Sequence, residues 1–372
     1  MNERRGPLGR LYHGETAIDF YGRRLLGFAF SGLLVVVTIA SLGLSGLNLG
    51  IDFEGGVAWQ VPATADFGVD QARSVVSGAG VDVANAKIQT LQSGADESVR
   101  IQVGDQPTEV RSAVQASLAE AAGVDVNEVS VNSVSSSWGR SITEKAVRAL
   151  VVFLVLVSLY IAWRFEWRMA LAAIVAMLHD VLISVGIYSV FRFELTPATV
   201  VAFLTILGFS LYDTIVVFDK VQDNIERFAA TRTGMADITN VSMNQVLMRS
   251  LNTSLAAVLP VLSLLVLGSW AFGAVALREF AIALLVGLLI GSYSSIFIAS
   301  PLLALFKERE NRFENLRGTH ATGAELEHMV VTGSSAGLKS VRRSTATEAP
   351  TAHVDPSALL THPPRPRKKR RR

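Results

Sequence analysis

Cysteine is absent from the 372 residues, which removes disulfides, thiol nucleophiles, Cys-ligated zinc and iron–sulfur clusters from consideration. Charge is scarce too. Asp, Glu, Lys and Arg make up 18% of the chain, where soluble domains average about 25%. With 50% hydrophobic residues and a mean hydropathy of +0.39, that deficit excludes an ordinary soluble enzyme. The net charge is only +2, and its sign comes from one end. Seven of the 34 basic residues fill Arg365 to Arg372, and the rest of the chain carries 27 basic against 32 acidic residues. No polycationic body is present to seek nucleic acid, and DNA is not an expected partner. Walker A, HExxH, GxSxG and dinucleotide-binding patterns are missing as well. No cofactor is therefore expected, and any energy used should come from an ion gradient rather than ATP.

What is present is a series of long apolar runs. Between Arg24 and Asp52 lie 27 uncharged residues, and a 15-residue run separates Arg148 from Arg164. Met169 to Phe191 is broken only by His179 and Asp180, and Leu195 to Phe218 only by Asp213. Ser250 to Leu277 and Phe280 to Phe306 carry no charge. About 20 apolar residues cross a bilayer core, so five runs pass on length, and the second passes if Lys145 and Arg148 snorkel. Six transmembrane helices are expected, at 25–49 and at approximately 146–163, 168–191, 196–218, 248–268 and 277–306. The first is too long for a cleavable signal peptide. Lys and Arg flank helix 1, the turn between helices 2 and 3, the loop between helices 4 and 5, and the end of helix 6. The positive-inside rule then puts residues 1–24 and 307–372 in the cytoplasm of a plasma or inner membrane.

Residues 50–145 must lie outside. Strand-like alternation at Val57 to Val61 gives way to a helix from Val69 to Val76. Alternation returns at Ala86 to Leu91 and Val99 to Val103. A helix follows Pro107, and Val124 to Val134 closes as a strand. The order βαββαβ is that of a ferredoxin-like α+β domain. Beyond about Asn311, Ser, Thr, Gly, Pro and Ala dominate, and 307–372 is expected to be a mostly disordered tail. Its basic end is suited to anionic lipid or ribosomal RNA, or to fixing topology with no partner at all.

Ionisable groups inside hydrocarbon are costly and mark ion or substrate paths. Asp213 lies about 9 Å above the cytoplasmic end of helix 4, at 1.5 Å per residue. Arg249 opens helix 5 from the same side. Two readings stand: a protonatable carboxylate whose cationic partner comes and goes, or a static ion pair joining helices 4 and 5. Asp180 lies about 18 Å deep, near the midplane, beside His179, which titrates near neutrality. It too is either an ion-path residue or part of a satisfied polar pair. Neighbours on a helix diverge by about 100°, so no metal site is expected there. Gly27, Gly32, Gly43, Gly46, Gly208, Gly287, Gly291, Ser292, Ser294 and Ser295 suit close helix packing or a sliding seam.

Several blocks then resemble one family. Gly50-Ile51-Asp52-Phe53-Glu54-Gly55-Gly56 after helix 1 resembles the G-x-D-F-x-G-G signature of the SecF family, part of the SecD/SecF group in the resistance–nodulation–division superfamily. Leu178-His179-Asp180 matches its helix 3 pattern. Gly208 to Asp219, including Asp213 and Thr214, is similar to its helix 4 signature, with Phe209 where Tyr is common and Leu211-Tyr212 where Ile-Asn is frequent. Arg249 with Asn252-Thr253-Ser254 resembles the opening of helix 5, and Gly291 to Pro301 the end of helix 6. The resemblance covers Ile18 to about Glu308.

It implies one six-helix half of a twelve-helix transporter, completed by a SecD-like subunit. It further implies work with the SecYEG channel, and indirectly the SecA motor, on a translocating preprotein. The driving force would be the proton-motive force, or sodium in some lineages, and Asp213, Arg249 and Asp180 would be the membrane charges. The expectation is an auxiliary export subunit without enzymatic activity. A small-molecule or lipid exporter half and a non-energised scaffold remain as alternatives.

Overall fold

The computed structural model describes residues 9, 16–64, 67–84, 86–93, 96–231, 233–268, 275–318 and 320–332. Six of its helices are long and apolar enough to cross a membrane. They are α1 (Arg24–Leu44), α5 (Ser136–Arg164), α6 (Trp167–Val190), α7 (Pro197–Arg227), α8 (Met235–Val266) and a sixth helix in pieces. The sixth consists of α9 (Val275–Ser294), a π-helical stretch (Ser295–Ala299) and α10 (Ser300–Lys307). The apolar surfaces are sorted by position. α5 exposes Val151, Val152, Val155, Leu156 and Leu159, whereas α6 buries small residues at Ala172, Ala173, Ala176 and Gly186. Small side chains let the neighbours of α6 approach closely, so it forms the centre of the bundle. Pro197 at the first turn and a Thr196–Thr199 capping box start α7, the positions where a fixed φ and a hydroxyl cap serve a helix best.

Between α1 and α5 the chain forms β1 (Asn48–Leu49), the single turn α2 (Ile51–Glu54), β2 (Gly56–Pro62), α3 (Val69–Gly78), β3 (Lys87–Ser93), β4 (Asp96–Val103), α4 (Thr108–Ala122) and β5 (Ser130–Val134). β2 to β5 make one antiparallel sheet in the order β3-β4-β2-β5. Each helix therefore crosses over a strand lying between the two it connects, the split βαβ arrangement. Val57, Trp59, Val61, Val99 and Ile101 alternate onto one face and meet Val76, Val114 and Leu118 of the helices, the period-two burial of a half-covered sheet. β1 pairs separately with β6 (Glu194–Leu195), in the loop between α6 and α7.

Three boundaries differ from the sequence reading. The second helix begins at Ser136, ten residues before the expected start, and carries the base of the outer domain on an extra-membrane extension. The fourth runs on to Arg227 and the fifth begins at Met235. These ends form a polar antiparallel pair, in which Asn224 Nδ2 donates to Ser242 Oγ at 2.8 Å and Gln245 Oε1 at 3.0 Å. Uncharged runs register only hydrocarbon-length spans, so helix extending into water escaped them. The first part of the tail also departs from the reading, since 307–332 includes a packed helix. α11 (Ala324–Thr332) buries Leu326, Met329 and Val330, and Ala321 N–H donates to Asp237 of α8 at 2.6 Å. A nine-residue helix is too short for composition to reveal. The basic run Arg365–Arg372 lies outside the described residues.

Candidate functional site

The inward stripe of α7 contains Ile206, Ser210, Thr214, Val217 and Val221, all buried, the helical spacing that one packed face requires. Asp213 stands at its edge. Ser250 Oγ of α8 donates to one carboxylate oxygen, and Ser295 Oγ of the sixth helix donates to the other at 2.5 Å. Arg249 is not in this set. It is exposed, and its Nη2 donates to Tyr212 Oη at 3.4 Å. No ion pair joins Asp213 to Arg249 among the described residues, which overturns the static-pair expectation. The reason is angular: successive side chains diverge by about 100°, and Ser250 takes the inward place.

Asp180 lies in a second cluster. It is 1% exposed, and Ser210 Oγ donates to its Oδ2 at 2.5 Å. His179 Nδ1 lies 3.1 Å from the other oxygen. The far ring nitrogen, Nε2, is 3.1 Å from Ser31 Oγ of α1. Ser31 in turn lies 3.1 Å from Tyr293 Oη, which donates to the Gly27 carbonyl at 2.8 Å. This chain of polar groups crosses helices 1, 3, 4 and 6. It is linked to the Asp213 cluster through Ser210, one turn from Asp213, and Gly291. A Cβ at Gly291 would stand 2.9 Å from Ser210 Cβ, so only glycine lets helix 6 bring Ser292 and Ser295 this close. A small cleft lined by Phe209, Asp213, Thr253, Ser254 and Ser292 opens beside the carboxylate. Hydroxyls both donate and accept, so the arrangement can satisfy Asp213 charged or protonated.

The other motif residues serve structure. Phe53 is buried in the α2 turn, and Asp52 lines a cavity of about 390 Å³ beneath the sheet, with Gln60, Arg100, Asn132, Thr196 and Glu279. Gly55 has φ +79°, and a Cβ there would lie 2.6 Å from Ser136 Cα. At Gly56 a Cβ would run into the Val103 carbonyl. The two glycines thus let the chain turn tightly between α5 and the sheet. Thr214 is buried. Gly208 has nothing within 4 Å of its missing Cβ, so among the described residues it does not pack helices closely, and neither do Gly32, Gly43 and Gly46. Asp219 pairs with Arg164 at 2.9 Å, both half-exposed.

Ser210 and Ser250 are not singled out by the sequence, and Ser295 is read there only as a small packing residue; their bonds to the carboxylates come from the structure. Serine is common in apolar helices, and its partners become visible only once the helices are packed.

On the outer side, buried Glu194 fastens the sheet to the bundle. It accepts from Gln102 Nε2 at 2.8 Å and Arg100 Nη1 at 3.2 Å, and next to it Gly50 N–H donates to the Leu195 carbonyl at 2.9 Å.

Residues 113–309 match the family described as protein export membrane protein SecD/SecF, C-terminal. The chain is 41% identical over 314 residues to protein translocase subunit SecF of Streptomyces coelicolor, covering 84% of this chain and 83% of that one. It is 44% identical over 320 residues to its counterpart in Mycobacterium tuberculosis, covering 83% and 71%. The crystal structure of SecDF, a translocon-associated membrane protein from Thermus thermophilus, superposes with a TM-score of 0.71 at 32% identity. That match covers 80% of this chain and 39% of the SecDF chain, so this protein spans about two fifths of that longer one. Six membrane helices, an outer sheet domain and these matches together assign the chain to the SecF family of protein translocase subunits.

Proposed function

We propose that the protein is the SecF half of an ion-driven accessory translocase in the cytoplasmic membrane, with both termini inside. A SecD-like subunit supplies the other half. The pair acts on preprotein emerging from the SecYEG channel, with SecA engaged only indirectly. Protons bind and leave Asp213, and the change of charge is relayed through the helices to the outer domain.

The observation that carries this reading is the setting of Asp213. It is an intramembrane carboxylate held by two hydroxyls from two other helices and by no cation. A structural carboxylate at such depth would be expected to rest against Arg or Lys, since desolvated charge is costly without a counter-ion. A hydroxyl pair instead accepts either protonation state. Arg249, exposed and donating to Tyr212, the residue before Asp213, is placed to approach in another state of the bundle. Asp180, behind Ser210, supplies a second carboxylate on the same path.

The test is gradient-dependent completion of preprotein export in vesicles carrying Asp213→Asn at normal abundance. Asn keeps the shape and most hydrogen bonds but cannot titrate. Completion should lose its response to an imposed gradient while the gradient-independent component persists. An intact response would refute the reading and leave the chain as a scaffold of the export complex.

A further inference from the structure

The sixth membrane helix changes its winding in one place, the five π-helical residues Ser295–Ala299. Such turns have a looser hydrogen-bond register than the α-helix around them and recur at functional sites. The first residue of this one is Ser295, fully buried. Its Oγ has three acceptors in reach: Asp213 Oδ2 at 2.5 Å, the Gly291 carbonyl at 2.9 Å and the Ser292 carbonyl at 3.4 Å. One hydroxyl has a single proton to give, so these bonds cannot all be made at once.

Which bond forms depends on Asp213. Against a carboxylate, the Ser295 proton points to Oδ2. When a proton binds Oδ2, the carboxyl O–H becomes the donor to Ser295 Oγ, and the Ser295 proton turns to the Gly291 carbonyl. No bond within the serine breaks, the added proton stays on Asp213, and no heavy atom has to move. Ser250 lacks this second option: among the described residues its hydroxyl bonds Asp213 alone. The ionisable groups around the carboxylate are Arg249 of α8, turned onto Tyr212, and Asp180 of α6, behind Ser210. The sixth helix presents only hydroxyls.

We propose that Ser295 is a positioning residue of the Asp213 site, a two-position hydroxyl that converts protonation on helix 4 into a hydrogen bond between the first residue of the π-turn of helix 6 and the α-helical turn before it. The inference rests on the ion-coupling reading for its functional consequence, but the hydroxyl switch can be measured separately.

A hydrogen bond to a charged group is worth roughly twice one between neutral groups. Loss of Ser295 therefore penalises the charged form of Asp213 more, shifting its protonation equilibrium about tenfold toward the neutral form. The readout is dicyclohexylcarbodiimide, which adds to protonated carboxyls, applied across a pH series to vesicles holding the full chain with its SecD-like partner. Adduct on the Asp213 peptide is quantified by mass spectrometry. Ser295→Ala should label faster, by up to about tenfold at the alkaline end of the series. Ser292→Ala should label like the parent, because Ser292 Oγ lies 2.7 Å from Ser254 Oγ and donates to the Leu288 carbonyl, not to Asp213.

If Ser295→Ala does not accumulate, Ser295→Cys, close in volume and a weak donor, carries the same test. An unchanged rate at Asp213 overturns the proposal. An equal rise in Ser292→Ala overturns it as well, since loosened packing would then account for both. Faster labelling with an unaltered export response to the gradient upholds the hydroxyl switch and refutes ion coupling, which keeps the two failures apart.

Discussion

Glu194 joins the outer domain to the membrane bundle, and its removal should release one from the other without unfolding either. The side chain is 6% exposed and Arg100 is 17% exposed, while Gln102 is buried. Glu194→Ala leaves both donors of β4 without this acceptor. Removing one partner of a fully buried, hydrogen-bonded ion pair costs about 3–5 kcal/mol. Arg100 retains some water, and Asp52 and Glu279 line the same cavity, so about 2–3 kcal/mol is the better figure here, a factor of roughly 30–150.

Hydrogen exchange at the Gly50 amide reads this directly, since that group donates to the Leu195 carbonyl across the junction. Its protection should fall by that factor in detergent or nanodiscs. Protection of the Trp59 and Ile101 amides inside the sheet should not change. Glu194→Gln, which keeps one acceptor, should lose about half the free energy. If Gly50 protection is unchanged, or if the sheet loses as much as the junction, Glu194 is not what fastens the domain.

Gly55→Ala should destabilise the outer domain by at least about 2 kcal/mol, from a left-handed backbone that disfavours a side chain and the 2.6 Å approach of its Cβ to Ser136. Limited proteolysis of intact protein would show this, with Gly32→Ala, which meets nothing within 4 Å, as the silent control; equal cleavage of the two variants would refute it. Just before α1, burial alone would raise the Asp19 carboxyl. The Gly22 amide, Asn240 and His320 outweigh that and hold it below the ordinary carboxylate range. Its contribution is therefore present above the unfolded carboxylate value, near pH 4, and lost as pH falls through the lower folded value. Melting curves of the parent and Asp19→Asn should differ at neutral pH and converge in acid, and a constant offset would contradict the assignment.

Much of this architecture was legible because charge is expensive in lipid. Interruptions such as Arg164 and Asp219 marked the ends of spans, and period-two alternation at Val57, Trp59 and Val61 marked a strand. The carboxylates of Asp180 and Asp213 were legible for the same reason, as lone charges in apolar runs. Their surroundings were not. Ser210, Ser250 and Ser295 look like any hydroxyl in a membrane helix, and only helix rotation decides which reach a carboxylate. Arg249 misled because its helix, its depth and its sign all suited Asp213, while its angular position did not. The Gly55–Gly56 pair was visible as a motif, but the need for it arises from Ser136 and Val103, which are distant in sequence.

The first helix shows how the site and the outer domain are connected. α1 exposes Leu25, Leu26, Leu33 and Val36 to the outside, so its attachments are few and specific. Gly27 accepts from Tyr293 and has no room for a side chain, since a Cβ would lie 3.0 Å from the Phe297 carbonyl. Ser31 reaches His179, Thr38 fills the hollow at Gly186, and Ser41 Oγ lies 2.7 Å from Ser189 Oγ. These four lie on one stripe of the helix. Phe297 belongs to the π-turn that begins at Ser295, so a change of winding there is felt at Gly27 by direct contact. A change at Asp180 reaches Ser31 through His179. At its other end the same helix runs into Asn48–Leu49 and the Gly50–Gly56 turn, which fixes the base of the sheet. A 21-residue helix is a rod of about 30 Å. It touches the Asp180 cluster and Phe297 of the π-turn near its start and carries the outer domain at its end. If the proposed coupling operates, α1 offers it a physically continuous path, and along that helix the contacts are made by small residues, Gly27, Ser31, Thr38 and Ser41.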